Sequence, residues 1–133
     1  LLASVPGLRG IYDPANYVYC QRDPVAGFEA TAPYFEYMHV KDCLYEGRTL
    51  VPAGAGEGHL KEALQKIDKM TDAEVVLTVE PHLFVSESYK QFDGKELKNK
   101  FVFATADEAF DYAVNALKNM LAEIGHPVVD GRA

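Results

Sequence analysis

Asp13, His39 and Glu80 each close a short apolar run in this 133-residue chain. Ile11-Tyr12 runs into Asp13, Tyr37-Met38 into His39, and Val75 through Val79 into Glu80. Two carboxylates and an imidazole form a mixed oxygen and nitrogen set suited to a divalent cation. Taken singly, each has an ordinary explanation. An Asp before Pro caps a helix or opens a turn, and a His at a strand end is commonly hydrogen-bonded core. Their recurrence at the same end of three successive runs is what points to chemistry, because α/β enzymes assemble their sites from strand carboxyl ends. Glu80 adds a second possibility. A carboxylate that follows a five-residue, largely aliphatic run and precedes a proline is partly desolvated, which suits a general base. Its burial also calls for a partner, and a bound cation is one.

Other polar residues cluster around these three. Lys41 lies two residues past His39, on the same side of an extended strand. It is placed to hold a substrate oxygen or balance the carboxylates, or to pair with Asp42 or Glu46. Asn16, His82 and Arg48 are further candidates for substrate contact. The turn Gly54-Ala55-Gly56-Glu57-Gly58 precedes a helix. Its backbone N–H groups can receive a hydroxyl or phosphate oxygen, or it is simply a tight strand-to-helix connection. It lacks the Gly-Lys-Ser/Thr of a phosphate loop. Cys20 and Cys43 have no zinc-type spacing, and no Ser/His/Asp or Cys/His nucleophilic pattern appears.

The elements that must position these groups alternate. Strands are predicted over Leu8–Tyr12, Phe35–Val40 and Val75–Val79, the last a near-continuous aliphatic run of the kind buried on both faces of a parallel sheet. Asp23-Pro24 opens a short helix that ends before Pro33. A loop rich in glycine leads to an amphipathic helix over His59–Met70, with Leu60, Ala63, Leu64, Ile67 and Met70 on one face. Residues 83 to 103 read as a long excursion, with one helical turn suggested by Ser86, Glu87, Ser88, Asp93 and Gly94. The last helix starts at a Thr105-x-x-Glu108 capping box. Its apolar stripe is Phe110, Ala113, Val114, Leu117, Leu121 and Ile124, and Gly125 and Pro127 end it. The order implies an α/β fold with parallel strands. The ligand-type residues are 26 (13 to 39) and 41 (39 to 80) positions apart. One βα unit takes roughly 30 residues, so each sits on its own strand, and adjacent strand ends lie about 5 Å apart.

Composition narrows the function classes. The net charge of −7 argues against a nucleic-acid partner, which normally needs a basic patch. No apolar stretch approaches the roughly 18 residues of a membrane span. The first residues lack the charged region and apolar core of a signal peptide. Two cysteines make no disulfide framework, so reduced thiols and a cytoplasmic location are the expectation. The start at Leu1, just before a strand, reads as a piece of a longer protein.

Asp-Pro-Ala-Asn (13 to 16), His-Val-Lys-Asp (39 to 42), Gly-Ala-Gly-Glu-Gly (54 to 58) and Val-Glu-Pro-His (79 to 82) resemble, in order and interval, the signature segments of the xylose isomerase-like superfamily of TIM barrels, the sugar phosphate isomerases and epimerases. The resemblance spans nearly the whole chain. It implies a partial (β/α)8 barrel, about the last three βα units, making residues 1–133 a single carboxyl-terminal part of the domain. It also implies a divalent metal, usually Mn²⁺ or Mg²⁺ and sometimes Zn²⁺ or Co²⁺, held by Glu, Asp, His and Glu. Asp13, His39 and Glu80 match the last three; the first Glu belongs to an earlier strand. The implied reaction is proton transfer next to the carbonyl of a sugar, sugar phosphate or polyol-derived ketone, with Glu80 as one of two bases. An isolated part of a barrel is expected to associate with another copy or with the missing half. The endonuclease IV-like branch fits less well, because Asn16 stands where a further His is expected and the charge is negative. A catalytically inactive half-barrel is the third reading.

Overall fold

The computed structural model describes residues 2–70, 74–84, 98–99 and 101–129. Three strands, β1 (Gly10–Tyr12), β2 (Phe35–Val40) and β5 (Val76–Val79), form a parallel sheet in the order β1-β2-β5. Between β2 and β5 the chain makes an antiparallel hairpin, β3 (Asp42–Leu44) with β4 (Thr49–Val51), and β4 also pairs in parallel with β6 (Lys98–Asn99). The helices are α1 (Pro14–Tyr19), α2 (Pro24–Thr31), α3 (Leu60–Met70) and α4 (Ala106–Glu123). The chain is thus mixed α/β with a three-stranded parallel sheet and four helices among the described residues. None of these helices is long and apolar enough to cross a membrane.

Helix starts follow the residues that cap them. Asp13-Pro14 and Asp23-Pro24 repeat one device: an aspartate N-cap whose side chain accepts a first-turn N–H, then proline at the first helical position. Thr105 accepts the Glu108 N–H at 3.1 Å, and the Glu108 carboxylate reaches back to the Ala104 N–H at 2.8 Å. The box therefore closes one residue earlier than the usual reciprocal pattern. A cap of this kind is worth about 1 kcal/mol. Gly125, at φ +95°, ends α4 in the left-handed conformation that glycine takes most readily.

The core lies on one face of the parallel sheet. Tyr12, Met38 and Val40 pack with Phe28 of α2, with Leu60, Ala63, Leu64 and Ile67 of α3, and with Leu117, Met120 and Leu121 of α4. Register puts Ile11, Tyr37 and Val76 in one row on the opposite face. That face has no helical layer among the described residues, and Val76 is 56% exposed. Within this chain β5 is covered on one face only: its burial alternates, with Val76 and Thr78 exposed and Leu77 and Val79 half-buried, and an aliphatic run alone does not say whether one face or both are covered.

Other expectations shift in detail. The first strand is shorter than Leu8–Tyr12. Asp13-Pro14 carries a cap signal, but the sequence predicts no helix over α1 and no β3–β4 hairpin, since α1 is six residues and each hairpin strand three. At that length periodicity carries little signal. Met70 and Phe110 belong to no buried stripe and are about half exposed, whereas Ala109 and Met120 are buried. The helical turn expected near Ser86–Asp93 lies outside the described residues.

Candidate metal centre

Each sequence-expected ligand is placed by a different local device. Asp13 caps α1, and the cap uses one carboxylate oxygen: Oδ1 accepts the Asn16 N–H at 3.1 Å. The other oxygen, Oδ2, is left to face the cluster. The ordinary and the chemical readings of Asp13 therefore both hold, one per oxygen. His39 projects from β2 on the face opposite Met38 and Val40, beside the Tyr37 ring. Glu80 follows β5, its N–H continuing the ladder to Val40 O at 3.3 Å. His82 has φ +47°, uncommon for a non-glycine residue. That turn brings its Nε2 within 3.2 Å of Glu80 Oε1.

The three groups converge. Ligand atoms of Asp13, His39 and Glu80 all lie within 4.8 Å of one another. His39 Nδ1 is 3.0 Å from Glu80 Oε2 and 3.6 Å from Asp13 Oδ2. Lys41 enters the same space, its Nζ 2.9 Å from Asp13 Oδ2 and 3.1 Å from Glu80 Oε2. Only the contact with Glu80 is aligned as a hydrogen bond. Asp13 Oδ2 is buried beside the ammonium but accepts no well-aligned hydrogen bond from the described residues. It has charge compensation without a directed donor, and an oxygen in that condition suits a metal ligand. The donor set of two carboxylates and one imidazole also fits Mn²⁺, Mg²⁺, Zn²⁺ or Co²⁺.

Charge coupling sets the protonation of the cluster. Burial works against the Lys41 ammonium, but the ion pairs with Asp13 and Glu80 outweigh it and raise its pKa. Burial works against the Glu80 carboxylate, and the His82 and Lys41 contacts more than offset this and lower its pKa. Lys41 then contributes stability below its unfolded pKa, lost as pH rises through the raised folded value. Glu80 contributes stability above its unfolded pKa, lost as pH falls through the depressed folded value. These two groups keep their full contribution between their ordinary values, 4.5 and 10.5, and lose it beyond them; the buried Cys43 thiol and Tyr12 hydroxyl, raised from 9.0 and 10.0, start the alkaline decline of the metal-free protein earlier. In Lys41→Met the alkaline decline should shrink, which thermal unfolding across pH measures.

The remaining expected residues sit apart. Asn16 is exposed on the first turn of α1 and reaches Asp13 only through its backbone N–H. Arg48 lies on the hairpin turn over the Tyr19 ring at 5.6 Å. Lys41 pairs with Asp13 and Glu80 rather than with Asp42 or Glu46.

The glycine turn has a role that sequence reasoning missed. The Asp42 carboxylate, 1% exposed, accepts four backbone N–H groups: Cys43 at 2.9 Å, Gly54 and Gly56 at 3.0 Å, and Gly58 at 2.9 Å. Burial pushes this carboxyl up from its ordinary range while the four donors pull it down. The expectation that these N–H groups receive a ligand oxygen is corrected, because an internal carboxylate already takes them. The signal was available: glycines at alternate positions aim alternate N–H groups to one side, beside an aspartate that needs donors. The Cys43 thiol is pushed by burial to about 11 and stays protonated, consistent with the lack of a nucleophile pattern.

Comparison with protein-family models, with curated proteins and with solved structures returns no match for this chain.

Proposed function

We propose that this chain is part of a metal-dependent sugar or sugar phosphate isomerase or epimerase, acting by proton transfer next to a carbonyl, and that it supplies about three βα units of a TIM barrel. The observation that carries this reading is the convergence of Asp13, His39 and Glu80 within 4.8 Å at the carboxyl ends of three adjacent parallel strands. The resemblance of the four signature segments supplies the reaction class. Asp13, His39 and Glu80 would hold a divalent ion, which when bound polarises a substrate carbonyl. Glu80 has a second carboxylate oxygen and partial exposure, so it reaches a substrate proton as a base. His82, on Oε1, positions that oxygen. Lys41 stands where it can meet a developing oxyanion.

A crystal soaked in Mn²⁺ should show an anomalous peak bounded by Asp13, His39 and Glu80. Incubation with ketoses in D₂O should label the carbon next to the carbonyl. Absence of both would sink the reading. One observation favours the inactive half-barrel: Lys41 already neutralises much of the cluster without a metal. The soak separates the two, since an inactive relic has no need to retain affinity. The uncovered row of Ile11, Tyr37 and Val76 supports pairing with a second copy or with the rest of a barrel, because parallel sheets are normally covered on both faces. Light scattering should report a species heavier than one chain; a monomer with a sharp unfolding transition argues otherwise.

A further inference from the structure

The Lys41 ammonium touches the same two oxygens that a metal would use. Its Nζ is 2.9 Å from Asp13 Oδ2 and 3.1 Å from Glu80 Oε2, and His39 Nδ1 also lies 3.0 Å from that Glu80 oxygen. The Lys41 side chain is 10% exposed, so the ammonium has left water for these partners. With neutral imidazoles, two carboxylates and one ammonium leave one negative charge uncompensated. A divalent ion added to that set leaves a net positive cluster if the ammonium stays, with two cations competing for the lone pairs of the same oxygens. If the ammonium leaves, two carboxylates and one divalent ion are neutral. Desolvated like charges a few ångströms apart repel strongly enough to decide between those states.

We propose that Lys41 is the resident counter-cation of the metal-free site and that a divalent ion binds by displacing it, so that metal loading frees the ammonium. This rests on the metal-centre reading above and adds to it an order of events. In the metal-free protein Lys41 keeps the buried Asp13 and the partly exposed Glu80 carboxylates paired and the strand ends together. After exchange its ammonium is released at the rim, available to a substrate oxygen only once the metal is in place. A metal-free site is then closed to substrate as well as inactive.

The test uses Mn²⁺ alone and two independent readouts. Titration calorimetry compares the wild type with Lys41→Met, which removes the charge, and Lys41→Arg, which keeps it. Lys41→Met should bind Mn²⁺ about tenfold more tightly or better, and Lys41→Arg should gain nothing comparable. In the wild type, acetylation of Lys41 by an active ester, followed by peptide mass mapping, should be slow without metal and rise severalfold with Mn²⁺. Lys61 and Lys66, whose side chains are 45% and 43% exposed, should not change. The labelling needs no variant, so it stands even if Lys41→Met folds poorly. Mn²⁺ binding to the wild type with no rise in Lys41 labelling, or with unchanged affinity in Lys41→Met, overturns the displacement and leaves the metal centre intact. No Mn²⁺ binding to either protein overturns both. Binding to Lys41→Met alone supports displacement, as the case in which the resident ammonium wins.

Discussion

Asp42→Ala is expected to lower stability by about 4 kcal/mol or more, a large part of the 5–15 kcal/mol that holds a typical domain together. The reason is the count of donors on one side chain. Four backbone N–H groups converge on the Asp42 carboxylate, and truncation leaves all of them without an acceptor. Bonds to a charged acceptor contribute about 1.5–3 kcal/mol each, and a buried unsatisfied donor costs about 1–3 kcal/mol. Water entering the space would recover part of the sum, so the lower end is the safer figure. Asp42→Asn should fall between the two, since its amide nitrogen points donors at donors. Gly56→Ala attacks the same contact from the other side: its Cβ would press on Asp42 Oδ1 and lie 2.7 Å from Cys43 O. Urea denaturation in chelator measures all three. A loss under about 1 kcal/mol for Asp42→Ala would mean that the turn finds other acceptors.

This seat also explains which parts of the site were legible in the chain. Asp13, His39 and Glu80 were readable because strand ends convert spacing into proximity: a residue at or just past the end of each β-strand must lie near its neighbours, whatever the loops do. The apolar faces of α3 and the capping of α4 were readable because caps and helical periodicity are local. Asp42 was harder to read: three of its four partners are 12 to 16 residues away across an irregular turn, and the alternate glycines mark donors on one side without saying which acceptor they meet. The pairing of Lys41 was missed for a related reason. Asp42 and Glu46 are the carboxylates close in sequence, yet strand alternation sends Lys41 to the opposite face from Asp42 and toward Asp13 and Glu80. The one-sided cover of the sheet agrees with the exposed barrel-facing surface expected of an isolated part of a barrel, and Thr78, on the same face as Val76, was its one sign within the run. Local chemistry was therefore legible, and contacts made by irregular connections were not.

Glu80→Gln should reduce deuterium exchange at the substrate carbon next to the carbonyl by two to four orders of magnitude, the usual worth of a positioned base. Glutamine keeps the size and one acceptor oxygen but cannot take the proton. The fold should survive, because the Glu80 side chain is 38% exposed and its partners His39, His82 and Lys41 retain access to water or to Asp13. The product of the wild-type reaction is as informative as its rate. Inverting a carbon centre requires removing the proton from one face and returning it to the other. Glu80 approaches from one side, and the one other carboxylate that this cluster holds among the described residues, Asp13, is a proposed metal ligand tied to the α1 cap through Oδ1. Proton removal and return by the same carboxylate exchanges hydrogen for deuterium with retention of configuration. The expected result for this chain is thus exchange that outruns epimer formation, followed by NMR of the recovered sugar. Equal rates of exchange and inversion would require a second base facing Glu80 across the substrate. Exchange unaffected by Glu80→Gln would move the proton transfer to another residue altogether, with His82 and Lys41 the nearest groups to inspect.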